Sequence, residues 1–192
     1  VLFSQTIFRE ARPPQLAEEA LCLQCLANMA RAVGDFAQAI EYSQQALALH
    51  RTAGNPRAIA ASLNTLGVAR AALAASVCER WQAEGEPEKL LMSFHGMPQR
   101  YFDDGDPYFC YCQKTARLLA EALALPRERW LVSFQSLFGK EEWLKPYTDR
   151  TVQALAKQGV RALDVVCPGF SADCLETIEE IDQLNRELFR HH

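Results

Sequence analysis

Two different patterns of apolar and polar positions run along this chain. From about residue 15 to residue 75, "QLAEEALCLQCLANMARAVGDFAQAIEYSQQALALHRTAG" and "AIAASLNTLGVARAALAAS" are rich in Ala, Leu, Gln and Glu, all good helix formers. Phe36, Ala39, Ile40, Ala46 and Leu47 recur at three- and four-residue spacing, the stripe of an amphipathic helix. Gly34-Asp35 and Gly54-Asn55-Pro56 predict the breaks between helices. From about Ala74 onward, short apolar runs alternate with helical patterns. "KLLMSFH" (89–95), "WLVSFQS" (130–136) and "ALDVVCP" (162–168) predict buried strands. "TARLLAEALALP" (115–126) and "DRTVQALAKQGV" (149–160) predict the helices between them. Strand–helix–strand alternation implies a parallel sheet with covering helices. The expected architecture is α/β: a parallel-sheet domain over residues 74–192, preceded by an α-helical hairpin segment over residues 1–73.

Composition narrows the class. With 192 residues, 49% hydrophobic and 23% charged, the chain reads as globular. No apolar run approaches the ~20 residues of a bilayer-spanning helix, and no N-terminal signal pattern stands out, so no transmembrane segment is expected. Residues 1–75 carry six basic and five acidic residues and the remainder fourteen and nineteen. Neither part holds a basic stripe, which argues against nucleic acid as a partner. Seven cysteines at scattered spacings imply reduced thiols and a cytoplasmic location. "CLQC" (22–25) has CxxC spacing but lies within a helical pattern with no second pair nearby, which favours buried cysteines over zinc.

The chemistry gathers at the strand ends. The predicted strands finish at His95, Ser136 and Pro168, and in open α/β sheets ligands lie beyond the carboxyl ends of the strands. His95 is either a strand-end histidine bonded to its own loop or a general base or metal ligand, roles that suit a neutral imidazole. In "CPGFSADCLETIEEID" (167–182), Ser171 is a helix N-cap candidate. Asp173, Glu176 and Glu180 would share one helix face. Such acids are ordinary near a helix start, but a carboxylate row beside a histidine also suits a divalent cation such as Fe²⁺. Phe134, Phe138, Trp143 and Tyr147 are either core or an apolar wall for a planar ligand.

Two resemblances sharpen this. Leu26-Ala27, Gly34-Asp35-Phe36, Ala39 and Ala46, with Leu66-Gly67 placed 40 residues after Leu26-Ala27, resemble tetratricopeptide repeats. From about residue 74 to 190, "LLMSFHGMPQRYFDDGDPYFCYCQKTARLLAEALAL", "LVSFQSLFGKEEWLKPYTD" and "VVCPGFSADCLETIEEIDQLNREL" closely resemble bacterial ferrochelatase. The resemblance implies a chelatase-type α/β fold and insertion of ferrous iron into protoporphyrin IX, with both as substrates. It implies His95 and Glu176 as catalytic residues and His95, Glu176 and Glu180 as the metal path. Trp143, Ser136 and Met97 would border the porphyrin. No organic cofactor is required, and an iron–sulfur cluster is not expected. The resemblance covers the C-terminal part of the family fold, with the helical segment in place of the family's N-terminal domain and its cleft wall. The alternative is a non-catalytic fusion or fragment whose helical repeats bind a protein partner.

Overall fold

The computed structural model describes residues 16–170 and 173–191. The chain divides into two compact units, whose boundary in the sequence falls between Leu73 and Ala74.

The first unit is helical. Helix α1 spans Leu16–Ala32, α2 spans Phe36–Thr52 and α3 spans Pro56–Glu84, the residues of α3 from Ala74 onward belonging to the second unit. The breaks lie where the sequence predicts them, at Gly34 (φ 82°) and Gly54 (φ 64°). The Asp35 side chain caps α2 by accepting the Gln38 N–H at 2.9 Å, and Asn55 accepts the Ala58 N–H at 3.2 Å. Ala30, Ala39, Ile40, Leu47, Leu66 and Ala69 form the core of this unit. Small side chains at half of those positions let the helix axes approach closely. Gln24 adds a polar tie from α1 to α3. It accepts from the Ser62 hydroxyl at 2.5 Å and donates to Thr65 at 3.0 Å.

Helix α3 corrects one expectation. By length and composition alone it is long and apolar enough to cross a membrane. A scan for unbroken apolar runs misses it because Ser62, Asn64, Thr65 and Arg70 interrupt the pattern. Ser62 and Thr65 are buried and bonded to Gln24 within the helical unit.

The second unit is α/β. Strands β1 (Lys89–His95), β2 (Trp130–Gln135) and β3 (Leu163–Val166) form a parallel sheet in the order β2-β1-β3. Leu90, Leu91, Met92, Ser93 and Phe94 of the central strand are all buried, the near-continuous run expected of a strand covered on both faces. Two short helical segments follow the first strand: α4 (Gln99–Asp103) and α5 (Tyr108–Ala122). Helix α6 spans Thr148–Lys157, and α7 spans Arg186–Arg190. Cys112, Ala116, Leu119 and Ala120 line the buried face of α5, and Val152, Leu155 and Ala156 that of α6. The Trp81 indole N–H donates to Asp164 at 2.7 Å and ties the end of α3 to β3.

Several boundaries move. The second strand stops at Gln135, and the third covers only 163–166, so Ser136 and Pro168 lie in the loops beyond. The helix expected at 115–126 begins at Tyr108 and ends at Ala122. The largest difference follows β3. Glu176–Asn185 is a π-helix, not an α-helix. Asp173 lies before it, so the expected shared face of Asp173, Glu176 and Glu180 does not form. In a π-helix each turn is wider and closes i to i+5, so a four-residue step falls just short of a turn. Ser171 lies outside the described residues.

Candidate functional site

His95 ends β1 and is exposed, although the residues before it are core. Its Nδ1 lies 2.6 Å from the Gly96 carbonyl oxygen. A carbonyl only accepts, so Nδ1 carries the proton, and whenever the ring is neutral its lone pair is on Nε2. The Tyr108 hydroxyl donates to the His95 carbonyl at 2.8 Å and holds the strand end from α5. The ring is thus bonded to its own loop, and that bond fixes the tautomer of the neutral imidazole.

Two aromatic rings flank it. Trp143 lies 6.3 Å from the imidazole and Phe170 lies 6.0 Å away, centroid to centroid. Trp143 reaches this place because its loop folds back on the loop after β1. Pro98 and Trp143 form an antiparallel bridge, Gln99 N–H donates to Glu142 O at 2.9 Å, and Leu144 N–H donates to Met97 O at 2.9 Å. Gly96 permits this approach. A Cβ there would sit 2.9 Å from both the Gln135 oxygen and a Trp143 ring carbon. Met97 is half-buried and enters through its backbone. The expected aromatic group divides: Phe134 is core, Trp143 and Tyr147 are half-buried, and Phe138 is 82% exposed.

Glu176 opens the π-helix and Glu180 lies within its first turn. The Cys174 thiol holds the Glu176 carboxyl below its ordinary range. Its own backbone N–H adds to this, burial opposes it, and a smaller effect of a charged His95 again lowers it. Glu180 is engaged differently: both of its oxygens accept the Ser136 N–H, at 2.8 and 3.1 Å. Ser136 has φ 65°, a left-handed conformation unusual for a serine, and its hydroxyl is buried without a partner among the described residues. The Trp143 indole nitrogen is buried and unpartnered in the same sense. No three His, Cys, Asp or Glu side chains form a metal-holding group among the described residues.

Beneath the strand ends lies a polar cluster that sequence reading passed over. Ser93 donates to Gln135 Oε1 at 2.6 Å, Ser93 and Thr148 lie 2.8 Å apart, and Ser133 and Thr148 lie 2.9 Å apart. All four residues are buried. Each hydroxyl has one proton, so the direction is set. Ser93 spends its proton on Gln135, Thr148 donates to Ser93, and Ser133 donates to Thr148. Cys167 donates to the same Gln135 oxygen at 3.4 Å, and burial pushes its thiol up to about 12. Gln135 Nε2 then donates to the Glu176 carbonyl at 3.0 Å. A glutamine closing an apolar strand was the one available signal in "WLVSFQS".

Comparison with known proteins bears on the same region. The ferrochelatase family model matches residues 40–192, reaching back into α2 and beyond the start near residue 74 that the motifs suggest. The ferrochelatase of Hydrogenovibrio crunogenus is 63% identical over 118 residues, covering 62% of this chain and 31% of that protein. That of Nitrosococcus oceani is 59% identical over 120 residues, covering 62% of this chain and 33% of its own length. That of Vibrio cholerae is 55% identical over 120 residues, covering 62% of this chain and 38% of its own length. The chain therefore spans about a third of the length of these curated relatives. With a family match over well more than half its residues, this chain belongs to the ferrochelatase family.

Proposed function

We propose that this chain provides the histidine–carboxylate side of a site that inserts ferrous iron into protoporphyrin IX. One observation carries the reading. His95 stands exposed at a strand end with the rings of Trp143 and Phe170 6.3 and 6.0 Å away, within electrostatic reach of Glu176. The family match and the names of the relatives support it.

The reaction consumes one Fe²⁺ and one free-base porphyrin and releases haem and two protons. A planar macrocycle needs flat apolar surface, which Trp143 and Phe170 supply, with Met97 and Ser136 on the adjoining loops. The two pyrrole protons need an acceptor, and the lone pair on His95 Nε2 fits that task. Fe²⁺ is cargo here, so a few oxygen and nitrogen ligands suit it better than a closed cage. Glu176, kept ionised, takes the metal beside His95. Glu180 joins the path when its carboxylate leaves the Ser136 N–H. No organic cofactor and no iron–sulfur cluster enter this scheme, and it belongs in the cytoplasm. The helical segment, similar in sequence to tetratricopeptide repeats, offers exposed Leu21, Met29 and Val33 to a protein partner.

The test is anaerobic. Purified chain is mixed with protoporphyrin IX and Fe²⁺ or Zn²⁺, and the porphyrin spectrum is followed beside His95→Ala. Metallation above background that collapses in the variant is expected. Equal rates in both proteins, or no metallation and no porphyrin binding, would overturn the reading.

A further inference from the structure

The carbonyls of Glu176 and Glu180 are both held by buried side-chain amides. Gln135 Nε2 donates to the Glu176 carbonyl at 3.0 Å, and Asn185 Nδ2 donates to the Glu180 carbonyl at 2.7 Å. Gln135 is 2% exposed and Asn185 is 3% exposed. We infer that Gln135 and Asn185 are positioning residues that hold the π-helix in its wide register, and so set where the carboxylates of Glu176 and Glu180 stand; this rests on the function proposed above.

The orientation of each amide follows from its surroundings. Gln135 Oε1 already receives the Ser93 hydroxyl and the Cys167 thiol. Turning the amide over would place that oxygen against the Glu176 carbonyl, two acceptors face to face. Asn185 Oδ1 is buried and unpartnered among the described residues, so the stabilising contribution of this amide lies in its NH₂ group.

The two contacts act where the helix needs them. A π-helix is rare and usually only a single turn long, so a ten-residue one calls for support from outside its own backbone. Each carbonyl oxygen has two lone pairs, so an amide donor adds to the helical bond without replacing it. The end of β2 holds both acids: the Gln135 side chain takes the backbone of Glu176, and the Ser136 N–H takes the carboxylate of Glu180. If the segment moved to α-helical register, the four-residue step from Glu176 to Glu180 would pass a full turn instead of falling short of one. The carboxylates would then face different directions relative to His95.

The test uses the full chain with Gln135→Glu and Asn185→Asp, near-isosteric changes that place an acceptor where each donor stood. Gln135→Met is a second variant that preserves volume without an amide. Amide hydrogen exchange is measured over residues 176–185, with β1 as the internal control. Exchange in the π-helix about five- to tenfold faster, with β1 protection retained, is expected from losing one such bond. In the metallation assay, kcat is expected to fall at least about tenfold with the porphyrin KM within about twofold, because the wall that binds the ring is untouched. Unchanged π-helix exchange, or a rise in KM with kcat intact, overturns the inference. A wild-type chain that does not metallate overturns the functional reading alone, and the exchange result then decides this one.

Discussion

Glu180 grips the backbone of Ser136 with both carboxylate oxygens, at 2.8 and 3.1 Å. An ionised acceptor on a half-buried N–H is a strong hydrogen bond, and here it stabilises a serine at φ 65°. Removing the acceptor leaves the N–H unsatisfied and the turn unsupported. Glu180→Ala is expected to cost about 1–3 kcal/mol in a urea melt. Ser136→Gly, which relieves the left-handed backbone, is expected to cost far less. Equal losses in the two variants would show that the bond is not what supports the turn.

Glu176 gives a pH prediction. Its carboxyl is held below the ordinary range, first by the Cys174 thiol and then by its own N–H and His95. The depressed value means that the carboxylate survives acidification and is lost only as pH falls through the lowered folded value. Cys174→Ala removes the largest cause and moves that loss to higher pH. The acid limb of the metallation profile is expected to shift upward in pH in this variant. Carbon-13 NMR of the glutamate carboxyls is expected to show the same direction for Glu176.

Gly96 is held between two fixed neighbours. A methyl at this position would lie 2.9 Å from a backbone oxygen and 2.9 Å from the Trp143 ring. The ring can turn, but the Gln135 carbonyl belongs to β2 and accepts the Gly96 N–H at 2.8 Å. Gly96→Ala is expected to destabilise by about 1–3 kcal/mol and to change Trp143 fluorescence. Pairing it with Trp143→Ala relieves only the ring contact, so most of the loss is expected to remain.

The hydroxyl chain under the site is directional, so its members are unequal. Ser93→Ala removes the donor to Gln135 and the acceptor of Thr148 together. Ser133→Ala removes only the first donor in the chain. A cost of about 1–3 kcal/mol is expected for Ser93→Ala, with a clearly smaller cost for Ser133→Ala, both read from denaturant melts. Reversed magnitudes would mean that the protons run the other way.

His50 makes the helical unit sensitive to acid. Burial in α2 pushes its imidazole below the ordinary value of 6.5. The unfolded chain therefore takes up a proton first as pH falls below about 6.5, and stability drops until the lower folded value is passed. A melting temperature that falls from pH 7 to pH 5 is expected, with a shallower fall in His50→Leu. Glu41 works in the opposite direction at lower pH, because burial raises its carboxyl.

Much of this protein was readable from local pattern. Apolar runs bounded by turn residues located β1 over Lys89–His95 without error, and Gly34 and Gly54 marked both helix breaks. These features depend on neighbours in sequence, through side-chain periodicity and backbone freedom, so the sequence by itself determined them. Its motifs are also long enough to mark a family, and it was that resemblance that singled out His95, Glu176 and Trp143. Tertiary structure decided the rest. The acid spacing at Glu176 and Glu180 reads as an ordinary α-helical face. The contacts of Gln135, Ser136 and Asn185 accompany the wider turn seen there. Gln135 and Glu176 are 41 residues apart in the chain, and Ser136 and Glu180 are 44 apart. No periodicity within a window of one or two turns carries information over that distance, so the meeting of Glu176 and Glu180 with Gln135 and Ser136 belongs to the tertiary structure alone.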